Sequence, residues 1–119
     1  MNLVVLSGHL SSEPVVRELQ SGSVLMSFEL TTVVEEASVS VPLVWFDPPK
    51  KVAVGAGDEV VAVGTVRRRF FRSGGATQSR TEVVVAQLGK RSDKRVLAAQ
   101  QRWVAVAMEG CPLEGLPSV

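Results

Sequence analysis

The stretch Asp58-Glu-Val-Val-Ala-Val-Gly-Thr-Val-Arg-Arg-Arg-Phe-Phe-Arg72 decides the fold class. Val60, Ala62, Gly64 and Val66 alternate with Val61, Val63 and Thr65, which is the two-residue period of a strand. It is the longest strand signal in the chain. Ser73-Gly74-Gly75-Ala76-Thr77 follows as an expected flexible tip, and residues 81–88 (Thr-Glu-Val-Val-Val-Ala-Gln-Leu) return as a second strand. By alternation, Arg67, Arg69 and Phe71 share one face of the first strand, and Arg68, Phe70 and Arg72 share the other. The hairpin therefore bears cations and rings near its tip.

Upstream, residues 3–10 form a short apolar run that Ser11, Ser12 and Pro14 interrupt, and residues 15–19 read as its continuation after a bend. Ser21-Gly22 supplies a turn. Val24–Val34 alternates again, with the face of Val24, Met26, Phe28, Leu30 and Thr32 assigned to the core. The short polar link Glu35-Glu36-Ala37-Ser38 predicts an antiparallel hairpin with residues 39–46. Asp47-Pro48-Pro49 ends that strand, because proline donates nothing to a sheet ladder. Residues 50–57 are too short and too marked by glycine for a helix. Five strands in about 90 residues define an all-β barrel-sized domain over residues 1–90. Residues 91–119 form a C-terminal segment. Within it, residues 92–108 read as a helix with Ser92 as N-cap, although residues 104–107 would also suit a strand. A frayed end is expected from Gly110 onward.

With 119 residues, 45% of them hydrophobic and 23 of them valine, the chain holds enough β-branched apolar surface for one packed domain. No run approaches the ~20 apolar residues of a membrane span, and the first residues lack a secretory pattern. One cysteine, Cys111, excludes an internal disulfide and fits a reducing cytoplasmic setting. A single histidine, His9, and the lack of zinc, P-loop or Gly-x-Ser-x-Gly spacing argue against an enzyme. No cofactor or metal is expected.

The net charge of +1 conceals an uneven distribution. Residues 67–95 contain nine basic side chains against Glu82 and Asp93, a balance of +7. The rest of the chain carries −6. A localised anion-binding face is one reading, and an ordinary solvated surface is the other.

These residues resemble the bacterial single-stranded DNA-binding proteins, which are built on the oligonucleotide-binding (OB) fold. The opening Asn2-Leu-Val-Val-Leu-Ser-Gly-His-Leu-Ser-Ser-Glu-Pro-Val-Val-Arg17 is similar to that family's first strand and its continuation. Ser21-Gly22 is similar to its turn, and Phe28-Glu-Leu-Thr-Thr32 to its second strand. Gly64-Thr-Val-Arg-Arg-Arg-Phe-Phe71 and Thr81-Glu-Val-Val-Val85 resemble its last two strands. The likeness covers residues 2–88. It implies a five-stranded OB barrel with Phe71 and Phe46 as stacking rings, and Arg67 and Arg69 as flanking cations. The hairpin at Glu35-Glu36 is shorter than the family's, and the helix usual before the fourth strand is missing. The chain ends Leu116-Pro-Ser-Val119 without the family's acidic tip, so docking of repair and replication enzymes through it is not expected. The resemblance also implies a homo-oligomer, a tetramer or else a dimer, for which the apolar strand edge at residues 3–6 offers a surface.

Single-stranded nucleic acid presents phosphates and flat bases, so a binder needs cations and exposed rings. The candidate set is Trp45, Phe46, Arg67, Arg68, Arg69, Phe70, Phe71, Arg72 and Arg80. Trp45 and Phe46 are adjacent, so alternation sends them to opposite faces, and one of them must leave the core. Phe70 and Phe71 could instead plug a barrel end. Arg17 is expected to pair with Glu13 or Glu18, and His9 to lie at the surface. The leading expectation is sequence-tolerant binding of single-stranded DNA in replication, recombination or repair, in the cytoplasm and associated with the nucleoid. The alternative is an OB-fold assembly module of the primosome-subunit kind that works through protein contacts. A third is an RNA-binding OB domain, since nothing in the sequence reads a 2′-hydroxyl.

Overall fold

The computed structural model describes residues 1–110. They form β1 (Val4–Leu10), β2 (Val15–Glu18), β3 (Val24–Val34), β4 (Ala37–Phe46), β5 (Glu59–Ser73), β6 (Ala76–Lys90) and α1 (Lys94–Glu109). Five strands close into a barrel in the order β1-β5-β6-β4-β3, with β3 returning to β1. Every pairing is antiparallel except β4 with β6. The protein is therefore an all-β, OB-like mixed barrel with a C-terminal helix. The sixth strand, β2, lies along the β3 edge that β1 reaches at Leu30 and Thr31, so β1 and β2 act as one bent run.

The two-residue period explains the core. Leu10, Phe28, Leu30, Leu43, Trp45, Val60, Ala62, Val83, Val85 and Leu88 point inward from five strands. The expected Phe28 face is the buried one. Trp45 leaves the set of candidate stacking residues, because its ring packs against Phe28 with centroids 6.5 Å apart. Its neighbour Phe46 takes the outward direction. Two glycines let backbones approach: a Cβ on Gly8, where β1 meets β3, would run into the Thr31 carbonyl, and one on Gly64, between β5 and β6, into that of Val84. Gly64 also sits at the bulge in the β5–β6 ladder.

Residues 47–58 stay non-helical, as Pro48 and Pro49 suggest, yet they finish the core. Val52 and Val54 pack against it on the side of Trp45 and Leu88. The Gly57 N–H donates to the Leu10 carbonyl at 2.7 Å, fixing the loop to β1.

The β3–β4 and β5–β6 hairpins each turn in two residues with left-handed backbone, Glu35-Glu36 at φ 48° and 66° and Gly74-Gly75 at φ 60° and 81°. The expected flexible tip at residues 73–77 is thus reduced to Gly74-Gly75, since β5 runs to Ser73 and β6 begins at Ala76.

The C-terminal segment is helical up to Glu109, and its cap is Asp93 rather than Ser92. Asp93 holds extended backbone and its carboxylate accepts from the Arg95 and Val96 N–H groups, one residue later than the sequence suggests. The helix lies against β5 and β6. Buried Gln100 donates to the Val61 carbonyl at 2.7 Å. Cys111 and the expected frayed tail lie outside the described residues. No helix among the described residues is long and apolar enough to cross a membrane.

Candidate nucleic-acid interface

Outward-facing positions of β2 to β6 line an open groove of about 530 Å³. Its apolar floor comes from Leu25 on β3 and from Val44 and Phe46 on β4. Leu25 and Phe46 are partners in the β3–β4 ladder. Phe46 is 38% exposed, so its ring is presented rather than stored. Four arginines border this floor: Arg17, Arg67, Arg69 and Arg80. Three carboxylates, Glu13, Glu29 and Glu82, share the walls with them.

Glu82 organises the cations. It is buried on β6, where it accepts from Nε and Nη2 of Arg67 at 3.0 and 2.8 Å and from Nε of Arg69 at 3.3 Å. Held this way, the Arg67 guanidinium lies over the Phe46 ring, 5.2 Å from its centroid. Arg69 lies 5.3 Å from the Phe71 centroid. Each pair is a cation against a π face. Arg69 also stands directly opposite Arg80 in the ladder. Like charges in that relation repel. Arg80 turns toward Glu29 at 3.4 Å, and an anion between the two guanidiniums would relieve them further.

Beyond Val66 and Glu82 the β5–β6 ribbon pairs with no other strand among the described residues, although Arg80 reaches back to Glu29 on β3. Neighbouring strands pair with it no farther out than Gly64 on β5 and Val83 on β6, apart from the Asn2 side chain, which bonds the Val66 backbone. The ribbon has two faces, as alternation predicts. One continues the groove with Arg67, Arg69 and Phe71, opposed by Glu82, Arg80 and Gln78. The other carries Arg68, Phe70 and Arg72, opposed by Thr81, Ser79 and Thr77.

The sequence candidates thus fall into three places. Phe46, Arg67, Arg69 and Arg80 meet in the groove, and Phe71 lies on the same ribbon face. Arg68, Phe70 and Arg72 point away from it. Trp45 is in the core. Arg17, which the sequence reading paired with Glu13 or Glu18, instead lines the groove from β2, while the Glu13 carboxylate accepts from the Ala56 N–H at 2.8 Å. The only signal for Arg17 was its period-two position on a short strand. The basic block is not one face either. Arg67, Arg68, Arg69, Arg72 and Arg80 cluster toward the ribbon tip, whereas Lys90, Arg91, Lys94 and Arg95 gather at the β6–α1 corner. Seven strand residues, ~23 Å, separate the two groups, as Arg67 pairs with Glu82 and Val60 with Lys90.

The arrangement suits an anionic chain with flat groups, since one exposed ring, Phe46, lies among four guanidiniums in the groove and Phe71 follows on the adjoining ribbon face. Among the described residues, no three His, Cys, Asp or Glu side chains are grouped so as to hold a metal ion. No protein-family model matches the chain, and no curated protein matches it.

Proposed function

We propose that the protein binds single-stranded DNA without strong sequence preference, through the groove and the β5–β6 ribbon, as the resemblance to the single-stranded DNA-binding proteins implies. The observation that carries this reading is Phe46, an exposed ring at the groove floor with Arg67 against it and Arg17, Arg69 and Arg80 around it. A base stacks on the free side of the ring while the guanidiniums meet neighbouring phosphates. Each stacked base contributes ~1–3 kcal/mol and tolerates any sequence, because every base has a π face. The finer reading places the protein in replication, recombination or repair, near the nucleoid. Assembly into a tetramer or dimer is supported by the β1 edge, which pairs with β3 only at His9 and Leu10 and leaves Val5 exposed.

The second reading, an assembly module that contacts protein, draws on Glu13, Glu29 and Glu82, which would repel phosphates. A titration of labelled oligothymidylate across salt concentrations separates the two. DNA binding gives a linear fall of log affinity with log salt, about −0.7 per neutralised phosphate, and preference over duplex of equal length. Affinity that ignores salt, or that favours duplex, would reject the groove reading.

A further inference from the structure

At the end of β6 away from the ribbon tip, the 47–58 loop and the β6–α1 corner enclose a cleft of about 350 Å³. That lies at the small end of the ~300–1,000 Å³ of ligand clefts. Its lining is mostly aliphatic, with Val52, Val54, Leu88 and Val96 joined by Trp45. Lys51 and Lys90 line it as well, and both are exposed. Lys50 and Arg91 are their chain neighbours, and Lys94 and Arg95 open α1 two residues before Val96 and next to it. The acids of this region are Asp58, Glu59 and Asp93, and two of them are already engaged. Asp93 accepts from the Arg95 and Val96 N–H groups, and Asp58 from the Gly55 N–H at 2.8 Å. Among the described residues, Lys90 alone of the six cations reaches a carboxylate, that of Asp58 at 3.9 Å. Lys94 and Arg95 moreover stand in a first helical turn that holds no acid, where the helix dipole disfavours cations. Positive charge in excess of its partners thus surrounds an apolar cleft.

We infer that this cleft docks an acidic peptide segment of a partner protein. An apolar side chain enters between the 47–58 loop and α1, and flanking carboxylates meet Lys51 and Lys90. An apolar anchor in a pocket supplies affinity, and complementary charge at the rim supplies steering and register. A nucleic-acid strand is matched less well here than in the groove, because its bases find no exposed ring. Trp45, the one aromatic side chain in the cleft, is 7% exposed and packed against Phe28. The inference does not depend on the groove reading, since Lys90 lies ~23 Å along the ladder from Arg67 and both sites can be filled at once.

A displayed library of random short peptides, selected on the full chain, tests this. The enriched sequences are expected to set Asp or Glu beside Leu, Ile or Phe. The tightest of them, labelled and titrated, is expected to weaken as salt rises, to change the emission of Trp45, and to leave bound oligothymidylate in place. Lys51→Gln/Lys90→Gln is expected to weaken that peptide roughly 3- to 30-fold, the worth of two ion pairs at an exposed rim. Its melting temperature and its affinity for oligothymidylate are expected to hold. Enrichment of no acidic sequences, or a peptide that binds the double variant as tightly as the wild type, overturns the inference. So does a peptide that oligothymidylate displaces, since it would occupy the groove's arginines as a phosphate mimic. A double variant that loses oligothymidylate but keeps the peptide would assign the corner to nucleic acid and overturn it too. A chain that binds the peptide as expected and no DNA at all would end the groove reading and leave this one standing.

Discussion

Arg67 and Glu82 face each other across the β5–β6 ribbon, and both Nε and Nη2 of the guanidinium donate to one carboxylate oxygen. The Glu82 side chain is 1% exposed and that of Arg67 39%, so the pair has a buried anion and a half-solvated cation. Arg69 adds a third bond to the same carboxylate. Glu82 thus lowers the groove's charge while fixing two guanidiniums against two rings.

Glu82→Gln is accordingly expected to do two opposite things. It removes the acceptor charge and costs about 1–2 kcal/mol of stability. That is below the ~3–5 kcal/mol of a fully buried pair, because both arginines can reach water. It also frees positive charge in the groove, so oligothymidylate binding at low salt strengthens and the salt slope steepens by about 0.7. Melting and salt-dependent titration check the two halves. Weaker binding with an unchanged slope would show that fixed geometry, not net charge, is the larger contribution of Glu82.

Burial of Trp45 changes how binding is to be measured. Trp103, the other tryptophan, sits half-buried on α1 beside Gln87, and neither ring lines the groove. Intrinsic tryptophan emission is therefore expected to change little on saturation with oligothymidylate, while the anisotropy of labelled DNA rises. Strong quenching would bring a tryptophan to the bases. Trp45→Ala is expected to cost ~3–5 kcal/mol, as a core truncation does.

Strand positions and the core were legible because period-two alternation reports burial directly: Phe28 and Leu30 inward, Trp45 and Phe46 opposed. Alternation does not say which member of an adjacent aromatic pair is inside. That depends on the barrel's closure and on Phe28 meeting Trp45 across it. Nor does linear sequence separate the two clusters within the basic block, since the ~23 Å between Arg67 and Lys90 arises from strand rise and register. Arg17 escaped for the same reason: a four-residue strand gives little period, and only the β2–β3 pairing turns that side chain into the groove. The N-cap moved by one residue because Asp93 and Ser92 both carry a capping oxygen, and local backbone decided between them.

The turn at Glu35-Glu36 demands left-handed backbone of two residues that do not favour it. Asparagine and glycine adopt this conformation at little cost. Replacing the pair by Asn-Gly is expected to stabilise the protein by about 1–2 kcal/mol, read as a melting temperature several degrees higher. Because the turn is far along the hairpin from Phe46, affinity for oligothymidylate is expected to stay the same. A lower melting temperature would mean that the glutamates make contacts in solution that outweigh their backbone strain.

Phe71 and Arg69 separate stacking from charge at the ribbon. The two occupy one face, with the guanidinium 5.3 Å from the ring centroid, and Phe71 is absent from the core. Phe71→Ala removes the surface on which one base rests and is expected to weaken binding by ~1–3 kcal/mol. The lost contact is non-ionic, so the salt slope keeps its wild-type value. Arg69→Ala also weakens binding, but it removes one phosphate contact and flattens the slope by about 0.7. It leaves Glu82 bonded to Arg67, so only a small change in melting is expected. A Phe71 ring that served the fold would reveal itself differently, through a melting loss on the scale of ~3–5 kcal/mol with binding lost only in proportion to the unfolded fraction. An unchanged melting temperature with weaker binding and an unaltered slope is the outcome that the exposed ribbon face predicts.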